Sequence, residues 1–174
     1  MKKLIIAAAI TLAAIVSQAA AVTWTLNNIQ SSPDVTVGAG WVVQIYAAGT
    51  DYTYDAAKAG TITAINTTAS VAAGTIFKAS GSVGEYAGGS SVSIFAVIYD
   101  ADTIAGAKNY IVSADLTKSV NSAGSPLSMG FGNMAGTTTA NMFYGKSWTA
   151  VPEPTSGLLL LLGMAGLALK RKRA

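Results

Sequence analysis

The hydrophobic positions of this chain follow three patterns. Short uncharged apolar runs lie near both ends, at residues 4–16 and 157–169. Between them, apolar and polar residues alternate in brief segments. Val22, Trp24 and Leu26 alternate with Thr23, Thr25 and Asn27, the period-two signature of a strand buried on one face. Residues 41–46 (Trp-Val-Val-Gln-Ile-Tyr) are apolar on both faces except at Gln44, which predicts a central strand. Residues 91–99 give the clearest strand. Val92, Ile94, Ala96 and Ile98 line one face, while Phe95, Val97 and Tyr99 make the other apolar, so cover is expected on both sides. Residues 100–106 read as a turn, and residues 107–114 as the returning hairpin partner. Weaker strands are predicted at 61–65 and 75–78, and the last ones at 127–131 and 146–149. Gly81, Gly84, Gly88 and Gly89 are read as loop positions, and residues 121–126 as a further loop. One short helix is expected, capped by Thr53 and stopped by Gly60. Short strands parted by glycine turns, without a fixed-period repeat, predict an all-β domain over residues 22–150. Its expected form is an antiparallel β-sandwich.

The two apolar ends carry different signals. Met1-Lys2-Lys3 precedes the first run, and Ser17-Gln18-Ala19-Ala20-Ala21 follows it. A charged start, a short apolar stretch and a small-residue A-x-A site make residues 1–21 a signal peptide. Cleavage is expected after Ala21, with cleavage after Ala19 as the alternative. The implied partners are the Sec translocon and signal peptidase, because no twin arginine is present. The second run is apolar all round and contains seven leucines, as in a helix buried in lipid or in a core. Thirteen residues rise only about 20 Å, against roughly 30 Å of hydrocarbon in a bilayer. Local thinning, and snorkelling by Lys170, Arg171, Lys172 and Arg173, close that gap. The abrupt basic stop favours a single transmembrane helix at 157–169 over a core helix. It also places residues 170–174 on the cytoplasmic side.

Composition changes the picture mainly by subtraction. The chain has 11 basic and 8 acidic residues, a net charge of +3. Six of the basic residues and Glu153 lie in the end segments, leaving a domain with five lysines and seven acids. The basic balance therefore belongs to targeting and points to no nucleic-acid partner. The chain has no cysteine and no histidine, and its first arginine is Arg171. Nucleophilic triads built on histidine and zinc or copper sites built on histidine or cysteine are excluded. No cofactor and no metal is expected.

The remaining candidates for chemistry are weak. Asp100-Ala101-Asp102 with Gly106 resembles part of a calcium loop, but Ile104 occupies a ligand position and no glutamate follows. Asp51 and Asp55 lie four apart and would share one face of a helix. They carry the alternative of a carboxylate-dependent, polysaccharide-acting enzyme. Trp24, Trp41, Tyr46, Tyr52, Tyr54, Tyr86, Tyr144 and Trp148 carry another alternative, a carbohydrate-binding module for exopolysaccharide. That module needs coplanar exposed rings, and Tyr52 and Tyr54 are the ones expected at the surface. Asn66-Thr67-Thr68 matches the glycosylation sequon.

The stretch joining the domain to the second apolar run has its own character. In Val151-Pro152-Glu153-Pro154 each proline lacks an N–H, and the residue before it is held extended. The result is a stiff strap of the form a protease reads. Residues 151–156, the Leu-rich run 157–169 and the Lys-Arg-Lys-Arg end together resemble a PEP-CTERM sorting signal. The resemblance covers residues 151–174. It implies an exosortase, a membrane-embedded cysteine protease, as the processing partner, in a bacterium that exports polysaccharide. The expected protein is thus a non-enzymatic structural or interaction protein of the cell envelope or extracellular matrix. It is exported, anchored in the inner membrane by one helix, and then released.

Overall fold

The computed structural model describes residues 18–36, 39–73, 76–136, 138 and 141–151. The signal-peptide run, Pro152, Glu153 and Pro154, the expected transmembrane helix 157–169 and the basic stop Lys170 to Arg173 lie outside the described residues. Among the described residues no helix is long and apolar enough to cross a membrane.

The domain is mostly β and built from two sheets. One has the order β4-β5-β1-β9, formed by β4 (Val71–Ala73), β5 (Ile76–Ala87), β1 (Ala19–Asn27) and β9 (Leu127–Asn133). The other has the order β10-β7-β6-β2-β3, formed by β10 (Thr149–Ala150), β7 (Asn109–Val112), β6 (Ser91–Tyr99), β2 (Val42–Ala47) and β3 (Asn66–Ala69). A further strand, β8 (Leu116–Ser119), continues beside the first half of β6. The alternation along β1 sends Ala20, Val22, Trp24 and Leu26 into a shared core. Val43 and Ile45 of β2, Ile94, Ala96 and Ile98 of β6, and Met129 and Phe131 of β9 meet them there. Trp24 packs edge-on against Phe131 with ring centroids 6.3 Å apart.

The two-sided apolar pattern of β6 is explained by a second cluster. Tyr46, Phe95, Val97 and Tyr99 face away from the shared core and are covered by Tyr54, with Tyr52 and Tyr110 packed alongside. Tyr54 belongs to α1 (Tyr54–Ala59). The helix forms where its caps predict. The Thr53 side chain accepts a hydrogen bond from the Ala56 N–H at 3.1 Å, and Gly60 adopts φ 70°, the left-handed conformation that ends it. Gln44, the one polar residue of β2, lies on this face. Its Oε1 accepts from the hydroxyls of Tyr46 and Tyr99, at 2.6 and 3.1 Å. A strand covered on both sides can keep a polar side chain because its hydrogen-bonding capacity is met.

Several sequence expectations need correction. The pairing is not wholly antiparallel: β1 and β9 run parallel, in a register from Val22↔Leu127. These strands lie a hundred residues apart, so no hairpin dictates their direction. Gly81 and Gly84 are strand residues within β5 rather than loop positions. A Cβ on Gly81 would land on the Asn66 side chain and within 2.8 Å of Trp24 Nε1. Gly84 has φ +119° opposite Val22, where the β1–β5 register shifts, so glycine supports a bulge there. The strand expected at 61–65 is displaced to β3, and β4 and β8 carry no alternation long enough to show in the sequence. The strand expected at 146–149 reduces to the two residues of β10.

Candidate functional site

The attachment point of the C-terminal strap is built into the sheet. Thr149 and Ala150 pair with Tyr110 and Asn109 at the edge of the second sheet. The Val151 N–H donates to Lys108 O at 2.8 Å, and Val151 packs against the aromatic cluster. The next residue, Pro152, has no N–H with which to extend a ladder. The first residue of the strap is therefore fixed to the folded domain. At the other end, Ala19 and Ala21, the proposed signal-cleavage residues, are exposed members of β1, while Ala20 between them is buried.

Beside β10 lies an open cleft of about 480 Å³, lined by Tyr52, Phe95, Tyr110, Ser113, Asp115 and Thr149, among others. The Tyr52 and Tyr110 rings are 5.8 Å apart and inclined by 58°, and Tyr52 meets Phe95 edge-on at 6.3 Å. The rings are therefore not the coplanar platform expected of a sugar-binding surface. Tyr54, expected at the surface, is buried. It stacks on Tyr110 at 5.7 Å and donates its hydroxyl to Ile104 O at 2.7 Å. Tyr52 is half-buried, and its hydroxyl pairs with that of Tyr99 at 3.0 Å. The cause is the apolar outer face of β6, which draws the aromatic side of α1 and the preceding loop onto itself. Burial pushes the hydroxyls of Tyr46, Tyr52 and Tyr99 above the ordinary tyrosine range, so none is primed as a base. Trp24 and Trp41 are core residues, and Trp148 packs edge-on against Trp41 at 5.7 Å. Tyr144 is the exposed one among the nominated aromatics. Tyr110 and Asp115 join the cleft without having been singled out: Tyr110 lay inside the strand predicted at 107–114, and Asp115 fell just beyond it.

The acidic candidates separate in space and role. Asp100 turns inward and is 3 % exposed. Its Oδ1 accepts from the backbone N–H of Lys108 and Asn109, at 2.8 and 2.9 Å. Its Oδ2 accepts from Ser32 Oγ and Asn109 Nδ2, at 2.7 and 2.8 Å. Burial pushes this carboxyl up, but the donors from Asn109, Ser32 and Lys108 together outweigh it and hold it below its ordinary value. A carboxylate saturated in this way anchors the loop around Ser32 to the β6–β7 turn and leaves little for a cation to take. Thr103 and Gly106 of the supposed calcium loop instead bond to each other across a 3-10 turn, with Gly106 N–H donating to Thr103 Oγ1 at 3.1 Å. Asp51 lies outside α1, Asp55 sits in its first turn, and both face solvent. Among the described residues no group of three acidic, histidine or cysteine side chains converges as a metal site would. The sequon asparagine, Asn66, uses its Oδ1 to accept from Trp24 Nε1 at 3.1 Å.

Residues 150–173 match the family model of the PEP-CTERM protein-sorting motif. The motif implies an exported protein sorted in the envelope in an exosortase-dependent way, with exosortase as its processing partner. No curated protein and no solved structure matches the chain.

Proposed function

We propose that the two-sheet domain is a non-enzymatic structural or interaction module, folded as a β-sandwich and delivered to the cell surface or extracellular matrix. An N-terminal signal peptide, cut after Ala21 or after Ala19, takes it to the Sec translocon. A single helix at 157–169, stopped by Lys170 to Arg173, holds it in the inner membrane with its C-terminus cytoplasmic. Exosortase cuts at the strap Val151-Pro152-Glu153-Pro154 and releases it. The observation that carries this reading is the match of residues 150–173 to the sorting motif. That motif directly abuts a domain whose last strand ends at Ala150. The absence of histidine and cysteine, and the separate roles of the carboxylates, support a role other than catalysis. Intact-mass measurement on membrane and extracellular fractions tests the sorting claim. A released form ending near the Pro-Glu-Pro segment is expected. Retention of residues 158–173 in every fraction overturns it.

A second reading, binding of a neutral saccharide, is favoured by the cleft beside β10. Tyr52 and Tyr110 line it as half-buried rings inclined to each other, Asp115 supplies an exposed acceptor, and no lining residue is cationic. Aromatic faces with a few polar groups suit a sugar ring. Affinity electrophoresis of the full chain through gels containing dextran or galactomannan should show retardation, lost in Tyr110→Ala. Unchanged mobility in both gels removes this reading.

A further inference from the structure

We propose that signal peptidase cuts between Ala19 and Ala20, so that the mature chain begins at Ala20. This rests on the export reading above and assigns the bond within it. Small residues at the positions one and three before the cut satisfy the peptidase. Ser17 with Ala19 meets that requirement, and so does Ala19 with Ala21. The sequence thus leaves two bonds, and the fold distinguishes them.

Strand β1 does not start at Val22. It starts at Ala19 and pairs Ala19↔Ala87, Ala20↔Tyr86 and Ala21↔Glu85 along the end of β5. Ala20 is 1 % exposed and belongs to the shared core, in phase with Val22, Trp24 and Leu26. A cut after Ala21 removes this buried methyl and strips the partners from the last three residues of β5. It also places the new α-ammonium on Val22, which is fully buried. Val22 is flanked on both sides, by Gly84 of β5 and Leu127 of β9. A charged amine set between two paired strands loses hydration, which is unfavourable.

A cut after Ala19 removes Gln18 and Ala19 from the described chain, both exposed, together with the Gly88 N–H to Gln18 O hydrogen bond and the Ala19↔Ala87 pairing. The new ammonium then sits on Ala20, which has β5 on one side and no β9 partner on the other, since the β9 register begins at Val22. The peptidase reads an extended chain before the domain folds, so the fold acts through what the mature chain must keep.

N-terminal sequencing of the exported protein, with Ala19→Gln and Ala21→Gln precursors beside the wild type, tests the assignment. Both positions are exposed, so neither change disturbs the core. The wild type should begin Ala20-Ala21-Val22. Ala21→Gln should be processed at the same bond, and Ala19→Gln should lose that processing. A wild-type start at Val22, or a block of processing by Ala21→Gln, overturns the assignment while leaving export intact. A secreted or membrane form that still begins at Met1 overturns the assignment and the cleaved-signal reading with it.

Discussion

Four donors converge on the Asp100 carboxylate, from residues as far away in sequence as Ser32. Asp100→Asn keeps the size but removes the charge and turns one acceptor into a donor facing other donors. Buried groups left without partners cost about 1–3 kcal/mol, so chemical denaturation should show a loss of roughly 2–3 kcal/mol. An unchanged midpoint would mean that the latch contributes nothing. The pH dependence follows from the direction of the shift. The folded carboxyl is held below its ordinary value of 3.8. Its stabilisation is therefore complete above that value and lost as pH falls through the lower folded value. The difference between wild type and variant should shrink with acid below about pH 4. In the sequence, Asp100 is visible only as a turn residue and as part of a poor calcium-loop match. Its role depends on Ser32 and Asn109, and no local pattern announces a partner 68 positions away.

At the level of elements, legibility followed how local each signal was. α1 was readable because Thr53 and Gly60 act within one helical turn of the residues they cap. β6 and β2 were readable because both of their faces are apolar over six or more residues. β5 was not, because glycine is depleted in strands and its glycines resemble punctuation. Their reason is tertiary. Gly81 leaves room for the Trp24–Asn66 hydrogen bond that ties the two sheets, and Gly84 supports the bulge opposite Val22. Gly81→Ala should therefore cost about 1–3 kcal/mol, as overpacking typically does. A thermal melt reads that cost. Indole N–H exchange at Trp24 should accelerate as its bond to Asn66 is pushed apart. A variant with wild-type melting and exchange would place the tolerance of this contact well above what its geometry allows.

At the scale of the whole molecule, sorting and folding are divided between adjoining segments that meet at Val151. Its N–H is held by Lys108 O, and the strap follows immediately. The motif thus begins at a sheet edge rather than after a long tether. The sequence alone determined the sorting signal, the all-β class, the helix and its caps, and the exclusion of histidine and cysteine chemistry. Each of these is written in contiguous residues or in composition, so no distant partner is needed to read it. Only the tertiary structure decided the parallel β1–β9 pairing, the inward turn of Asp100, the burial of Tyr54 and the cleft shared by Tyr52, Tyr110 and Asp115. It also decided that Ala20 is a core residue. Those features depend on which faces meet across the two sheets, and that is set by contacts between residues tens of positions apart, where periodicity carries no information.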